Sequence, residues 1–250
     1  HERLVGSEMC IRDRLGRAAF DQGDFKSSIS HMAEAKTLDP QKYGEQVNVL
    51  SVLSYHKLQD MNKLKEALET LQKENPSAVA RVPDVIPAWL GLQAYGMKDL
   101  ETADKYMTWA TQNDQLQNVK KVIWRNLAKV RLALRKYDRA LVASNNFLKD
   151  EDQPYRRADG MLDKASILLG LGKYADARKT AEDALALGVE GPLMASLKIV
   201  LGDISYAEKK FDEAAKHYGV TAELFVNDAE LKPKALFLSL IHISEPTRRS

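Results

Sequence analysis

Cysteine is almost absent. Cys10 stands alone in 250 residues, so the chain can form no internal disulfide. No apolar run approaches the roughly 18 residues that span a bilayer, and no transmembrane helix is expected. Nor does one sign of charge dominate: 37 basic and 35 acidic residues leave a formal net charge of +2, which offers no electrostatic argument for nucleic acid or an anionic membrane. Catalytic signatures are also missing. There is no nucleophile elbow, and His31, His56 and His217 lie far apart without zinc-ligand spacing or a cysteine partner. No cofactor, metal or small-molecule substrate is expected.

What the chain has instead is a recurring amphipathic pattern, carried by a composition that is 44% apolar and 29% charged. Between Trp124 and Leu148 two helices are predicted around a turn at Arg135 and Lys136. Trp124, Leu127, Ala128 and Leu132 mark one helix face, and Tyr137, Ala140, Leu141, Ser144 and Phe147 the other. Small residues at Ala128 and Ala140 let the two axes approach closely. The same arrangement returns along the sequence. Taking Ser28, Ala67, Ala103, Ala140, Ala177 and Ala214 as equivalent gives steps of 39, 36, 37, 37 and 37 residues. A single amphipathic pair is common, but several in register at one period specify units that bury their apolar faces on one another. The predicted units cover about 15–40, 45–76, 84–112, 119–149, 156–188 and 193–226, with a partial unit at 231–237. Pro76, Pro83 and Pro87 predict a bend within one continuous array, with a domain boundary as the competing reading.

This pattern resembles the tetratricopeptide repeat, a helix-turn-helix unit with an aromatic, small residues and a tyrosine-like residue at these spacings. The resemblance implies an all-α fold, an α-solenoid wound as a right-handed superhelix of about six helix-turn-helix repeats, with the first helices lining a concave groove. Repeat two fits least well, because Tyr55 takes the place of a small residue and predicts looser packing. Carried over by motif, the groove positions are Leu92 and Tyr95 in repeat three and Arg125, Lys129 and Leu132 in repeat four. Repeat five adds Leu162, Ser166 and Leu169, and repeat six Ile199, Asp203 and Tyr206. The implied function is a non-enzymatic protein-protein interaction scaffold whose ligand is a protein or peptide. The two-carboxylate clamp with which some relatives hold chaperone tails is not matched, since Ala88 and Leu92 stand where it needs a lysine and an asparagine.

Three other stretches compete for attention. Gly170-Leu171-Gly172-Lys173 imitates a dinucleotide fingerprint, but helices rather than a strand precede it, and a tight helix-helix turn is the better reading. The run Arg125, Lys129, Arg131, Arg135, Lys136 and Arg139 reads mainly as a solvated face. Arg125 and Lys129, one turn apart on a first helix, are nevertheless placed to meet an acidic partner. Finally, Leu4–Arg14 and Leu238–Arg249 resemble translations of a transposase-based sequencing adaptor, one on each strand. On that reading 1–14 and 238–250 are non-native, and the remaining insert holds 32 basic against 31 acidic residues and no cysteine. Both native termini, and any leader, anchor or attached domain, then lie outside this sequence.

The repeat exceeds the family's commonest length of about 34 residues by about three. With the missing cysteines, this points toward a bacterial envelope or assembly scaffold, in the periplasm or cell envelope, with the cytoplasm as the alternative. Two alternatives remain. A helical-repeat nucleic-acid binder needs a basic stripe along several units, whereas only repeat four is basic. The regulatory arm of a larger enzyme is the other.

Overall fold

A computed structural model describes residues 2–112 and 117–224, with side chains at 10–112 and 120–222. The partial unit at 231–237 and the second adaptor-like segment lie outside these residues. Among the described residues there are twelve α-helices, one short 3-10 helix and no strand. They fall into two compact units, 2–97 with 105–112, and 98–104 with 117–224. The dividing line passes through one helix rather than through the proline-rich segment.

The first unit holds α1 (Glu2–Asp21), α2 (Phe25–Leu38), α3 (Pro40–Lys57), α4 (Met61–Glu74), a 3-10 turn (Pro76–Arg81), α5 (Val85–Gly96) and the later part of α6 (Leu100–Ala110). The helical pattern was expected to begin at Leu15, yet α1 starts at Glu2. No proline interrupts residues 2–14, so nothing stops the helix from extending. The second unit holds the start of α6, then α7 (Gln117–Ala133), α8 (Tyr137–Lys149), α9 (Pro154–Gly170), α10 (Tyr174–Leu185), α11 (Gly191–Ala207) and α12 (Phe211–Leu224). Within it each helix packs on the next, and the first helices also touch directly, α7 on α9 and α9 on α11. Stacked helix hairpins of this kind are the helical-repeat fold.

Each hairpin turns at one left-handed residue: Gly23, Gln59, Lys98, Arg135, Gly172 and Lys209, with φ between 55° and 81°. The residue that follows donates its N–H to the carbonyl five positions back in five of these turns, as Lys136 does to Arg131 at 2.9 Å and Lys210 to Ser205 at 2.8 Å. This closure satisfies the last carbonyls of the first helix. In three turns an aspartate then caps the second helix, Asp24 accepting from Ser27, Asp60 from Lys63 and Asp99 from Thr102.

These turns correct the register of repeat two. Counting five residues on from the left-handed residue gives Ser28, Leu64, Ala103, Ala140, Ala177 and Ala214, so the equivalent of the small residue is Leu64 and not Ala67. Leu64 is fully buried while Ala67 is only half-buried. Likewise Val52, buried, holds the close-packing place in α3, and Tyr55 sits one turn later, half-buried beneath the Lys63 ammonium. The long step of 39 residues therefore lies between repeats two and three, across the 3-10 turn, and the step before it is 36. Leu64, Ala67, Leu68 and Leu71 are all apolar and helically spaced, so a one-turn slip preserves the pattern; the cap at Asp60 decides it.

Helix contact follows a size rule, in which the close-packing residue of a first helix meets the residue sixteen positions later. A Cβ on Gly16 would lie 2.6 Å from Met32 Cγ, and one on Gly202 would collide with the Tyr218 ring. Where the first helix carries Ala128 or Ala165, the opposite place holds the small Ser144 or Ala181, all four buried. Glycine thus faces methionine or tyrosine, and alanine faces serine or alanine, so in these hairpins a bulky residue on the second helix meets a glycine on the first, whereas repeat two buries Val52 and Leu68 in the same cluster.

Candidate functional site

The candidate groove residues divide between the units. Leu92 and Tyr95, on α5, belong to the first and are half-buried. The other nine lie on the first helices of the second unit: Arg125, Lys129 and Leu132 on α7, Leu162, Ser166 and Leu169 on α9, Ile199, Asp203 and Tyr206 on α11. The 37-residue step places them in rows. Leu132, Leu169 and Tyr206 form one row near the C-terminal ends of the three helices, partly open to solvent and most exposed at Tyr206, at 37%. Tyr206 leans on Phe211, with ring centroids 5.6 Å apart. In the next row Ser166 donates to the Leu162 carbonyl at 3.0 Å, and Asp203 accepts from the Tyr218 hydroxyl at 2.7 Å. Burial, and then Asp203, push the Tyr218 phenol upward. Ile199, expected beside them, is 3% exposed and packs with Ala214 and Tyr218 instead, so it is core.

Four cations of the basic run, Arg125, Lys129, Arg131 and Lys136, are paired with carboxylates, while Arg135 and Arg139 stay exposed. Arg125 pairs with Asp159 and Lys129 with Asp163, both from α9, the latter at 3.8 Å. Arg131 is buried and donates to Asp104 at 2.8 Å, while Lys136 reaches Asp104 at 3.0 Å and Glu101 at 2.8 Å. Arg125 and Lys129 therefore form a neutral ladder with two carboxylates that were not anticipated. A signal for them was present: Asp159 and Asp163 are four residues apart and stand 34 residues beyond two cations of the same spacing.

Asp163 is the strained member. Its side chain is 15% exposed, and at 3.8 Å Lys129 is too distant for a hydrogen bond. Burial pushes its carboxyl up to about 6, with Lys129 and Arg125 pulling back only in part. An acid whose folded value is raised gains stability when protonated and loses it as pH rises through that value. Asp163→Asn removes this penalty. Relative to the parent, the variant should gain about 2 kcal/mol between pH 4 and pH 7.5, read from denaturant midpoints. A pH-independent difference would contradict it.

The remaining candidates resolve into structure. Gly172 supplies the left-handed turn between α9 and α10, and a side chain on Gly170 would strike the Tyr137 ring, so the glycine motif is a hairpin turn. His56 rests edge-on against Trp89, and His217 lies 3.9 Å from Glu213. Among the described residues no group of histidine, cysteine, aspartate or glutamate is placed to hold a metal, and no helix is long and apolar enough to cross a membrane.

Taken together, stacked hairpins and a half-open row of side chains on the first helices define a helical-repeat protein of the interaction-scaffold class. Residues 162–222 match the family described as Tetratricopeptide repeat, whose members are generally non-catalytic. Solved structures agree on the fold. The apo form of RapI is 15% identical with a TM-score of 0.55, covering 98% of this chain and 72% of that one. PilW, described as a widely conserved type IV pilus biogenesis factor, is 15% identical with a TM-score of 0.51, covering 91% and 98%. The Naa15/Naa10 complex bound to HypK-THB gives 13% identity and a TM-score of 0.60, covering 97% of this chain but 36% of that one. No protein of curated function matches the sequence.

Proposed function

We propose that the chain holds a partner polypeptide across the first helices α7, α9 and α11, as a scaffold within a bacterial envelope or assembly complex. The observation that carries this reading is the row Leu132, Leu169 and Tyr206, which repeats at one period and keeps apolar area open to solvent. An aromatic ring with a polar tip suits an interface that stays partly wet. Arg125, Lys129, Ser166 and Asp203 border the row and supply polar selectivity. Leu92 and Tyr95 provide an equivalent surface on the first unit. The envelope assignment draws support from PilW, whose fold runs the same length as this one. Nucleic acid fits less well, because Arg125, Lys129 and Arg131 on α7 are already matched by aspartates.

Site-specific photo-crosslinking tests the reading. A crosslinker replacing Ser166 or Tyr206 should trap a discrete polypeptide in extracts of the source cell. The same probe at Val142, an exposed residue on α8, should trap none. Adducts formed from Val142 alone would move the binding surface off the first helices.

A further inference from the structure

The Arg125–Asp159 and Lys129–Asp163 ladder is not needed to pack one first helix on the next. At the following junction, α9 on α11, the corresponding places hold Leu162 with Ser196 and Ser166 with Val200, and the helices meet without an ion pair. The charged ladder is thus an addition to one junction, lying within the candidate partner-binding face. Its two rungs differ. Arg125 and Asp159 are in close contact, whereas Lys129 stands 3.8 Å from Asp163; the Oδ2 atoms of both aspartates are buried. Lys129 keeps 30% of its side chain in solvent.

We propose that this face binds an acidic polypeptide segment in a proton-coupled step, in which Asp163 takes up a proton from solvent and Lys129, released from it, pairs with a partner carboxylate. The inference rests on the reading of the α7–α9–α11 face as the binding surface. Charge complementarity selects the occupant. With both aspartates ionised the four groups sum to zero, and protonation of Asp163 leaves one net positive charge beside the apolar side chains of Leu132 and Leu162. The charges acting on Asp163 are Lys129 and Arg125 from α7. Asp159 lies one turn away on α9 itself. Among the described residues, α8, α10 and α11 send no charge that acts on it. Burial that raises the Asp163 carboxyl to about 6 sets the window in which the exchange occurs.

Polyaspartate, ionised throughout the range, is the probe, immobilised and titrated with the full chain at pH 5.5 and pH 7.5. If only the protonated form is competent, binding should be about 20-fold tighter at pH 5.5. Asp163→Asn should bind tightly at both values, with no pH dependence, while Lys129→Gln should bind weakly at both. Circular dichroism confirms that each variant is folded. Equal affinity of the parent at the two pH values, or an undiminished slope in Asp163→Asn, overturns the proton coupling and leaves the binding face standing. Absence of polyaspartate binding by both the parent and Asp163→Asn overturns the acidic partner itself.

Discussion

Gly91→Leu is expected to destabilise the chain by about 3 kcal/mol, the upper range for overpacking a well-filled core. A Cβ on Gly91 would stand 2.7 Å from Met107 Cγ and 2.9 Å from the Met107 backbone nitrogen. A side-chain tip can rotate aside, but the backbone of α6 cannot withdraw without lifting off the Tyr106 and Trp109 core of that unit. The larger helix propensity of leucine, worth under about 1 kcal/mol, does not compensate. Adding Met107→Ala should recover about 1 to 2 kcal/mol, since it vacates the space the new side chain needs. Gly96→Ala serves as a control. Nothing lies within 4 Å of a Cβ there and its backbone is not left-handed, so melting should stay level or rise slightly. A Gly91→Leu melt indistinguishable from that of Gly96→Ala would refute the size rule that pairs each first helix with its second.

The second large effect belongs to Asp104 and Arg131. Their side chains are 9% and 8% exposed, and Arg131 Nε donates to Asp104 Oδ1 at 2.8 Å. Burial acts to raise the Asp104 carboxyl, but hydrogen bonds from Arg131 and Lys136 outweigh it and hold the group below its usual range. Its contribution is therefore complete above the ordinary aspartate range and fades as pH falls below it. Arg131→Met should cost about 3 kcal/mol at neutral pH, because it removes a buried cation bonded to a buried carboxylate. The double variant Asp104→Leu/Arg131→Met should recover most of that loss, since two apolar groups replace two buried charges. Lys105 and Glu69 form a pair that is about half exposed, and Lys105→Ala should change stability by no more than about 0.5 kcal/mol. If Arg131→Met melts no lower than Lys105→Ala, the junction does not depend on its buried pair.

The same junction shows why a neutral overall charge says little about local order. At the place held by Asp104 in α6, the next repeats carry Leu141 and Arg178. Leu141 packs against the cluster that contains Leu168. Arg178 reverses the polarity of Asp104, donating to Ser205 at 3.1 Å and to Glu208 and Glu213 at 2.7 Å each. Acid, hydrocarbon and cation thus follow one another at equivalent positions, so a repeat docked out of order would bury an unmatched charge. Individually these residues look like ordinary surface charges. Their partners lie about 27 to 35 residues away, and no local pattern joins them.

Helix periodicity, small residues at a near-constant step and helix-turn-helix punctuation were readable from the sequence, because each depends on neighbours within a turn or two of chain. They determined that the chain is all-helical and that its helices pair as repeated hairpins, but not every inward face, since Ile199 reads as groove and is core. The register of repeat two was not determined, since Leu64, Ala67, Leu68 and Leu71 satisfy two alignments equally and only the turn at Gln59 and Asp60 separates them. Tertiary structure alone decided the charge state of the candidate site. Arg125 and Lys129 read as free cations until α9 comes alongside α7 and brings Asp159 and Asp163 against them. Periodicity is a property of one helix, whereas electrostatic neutralisation is a property of two, and the second exists only once the hairpins have stacked.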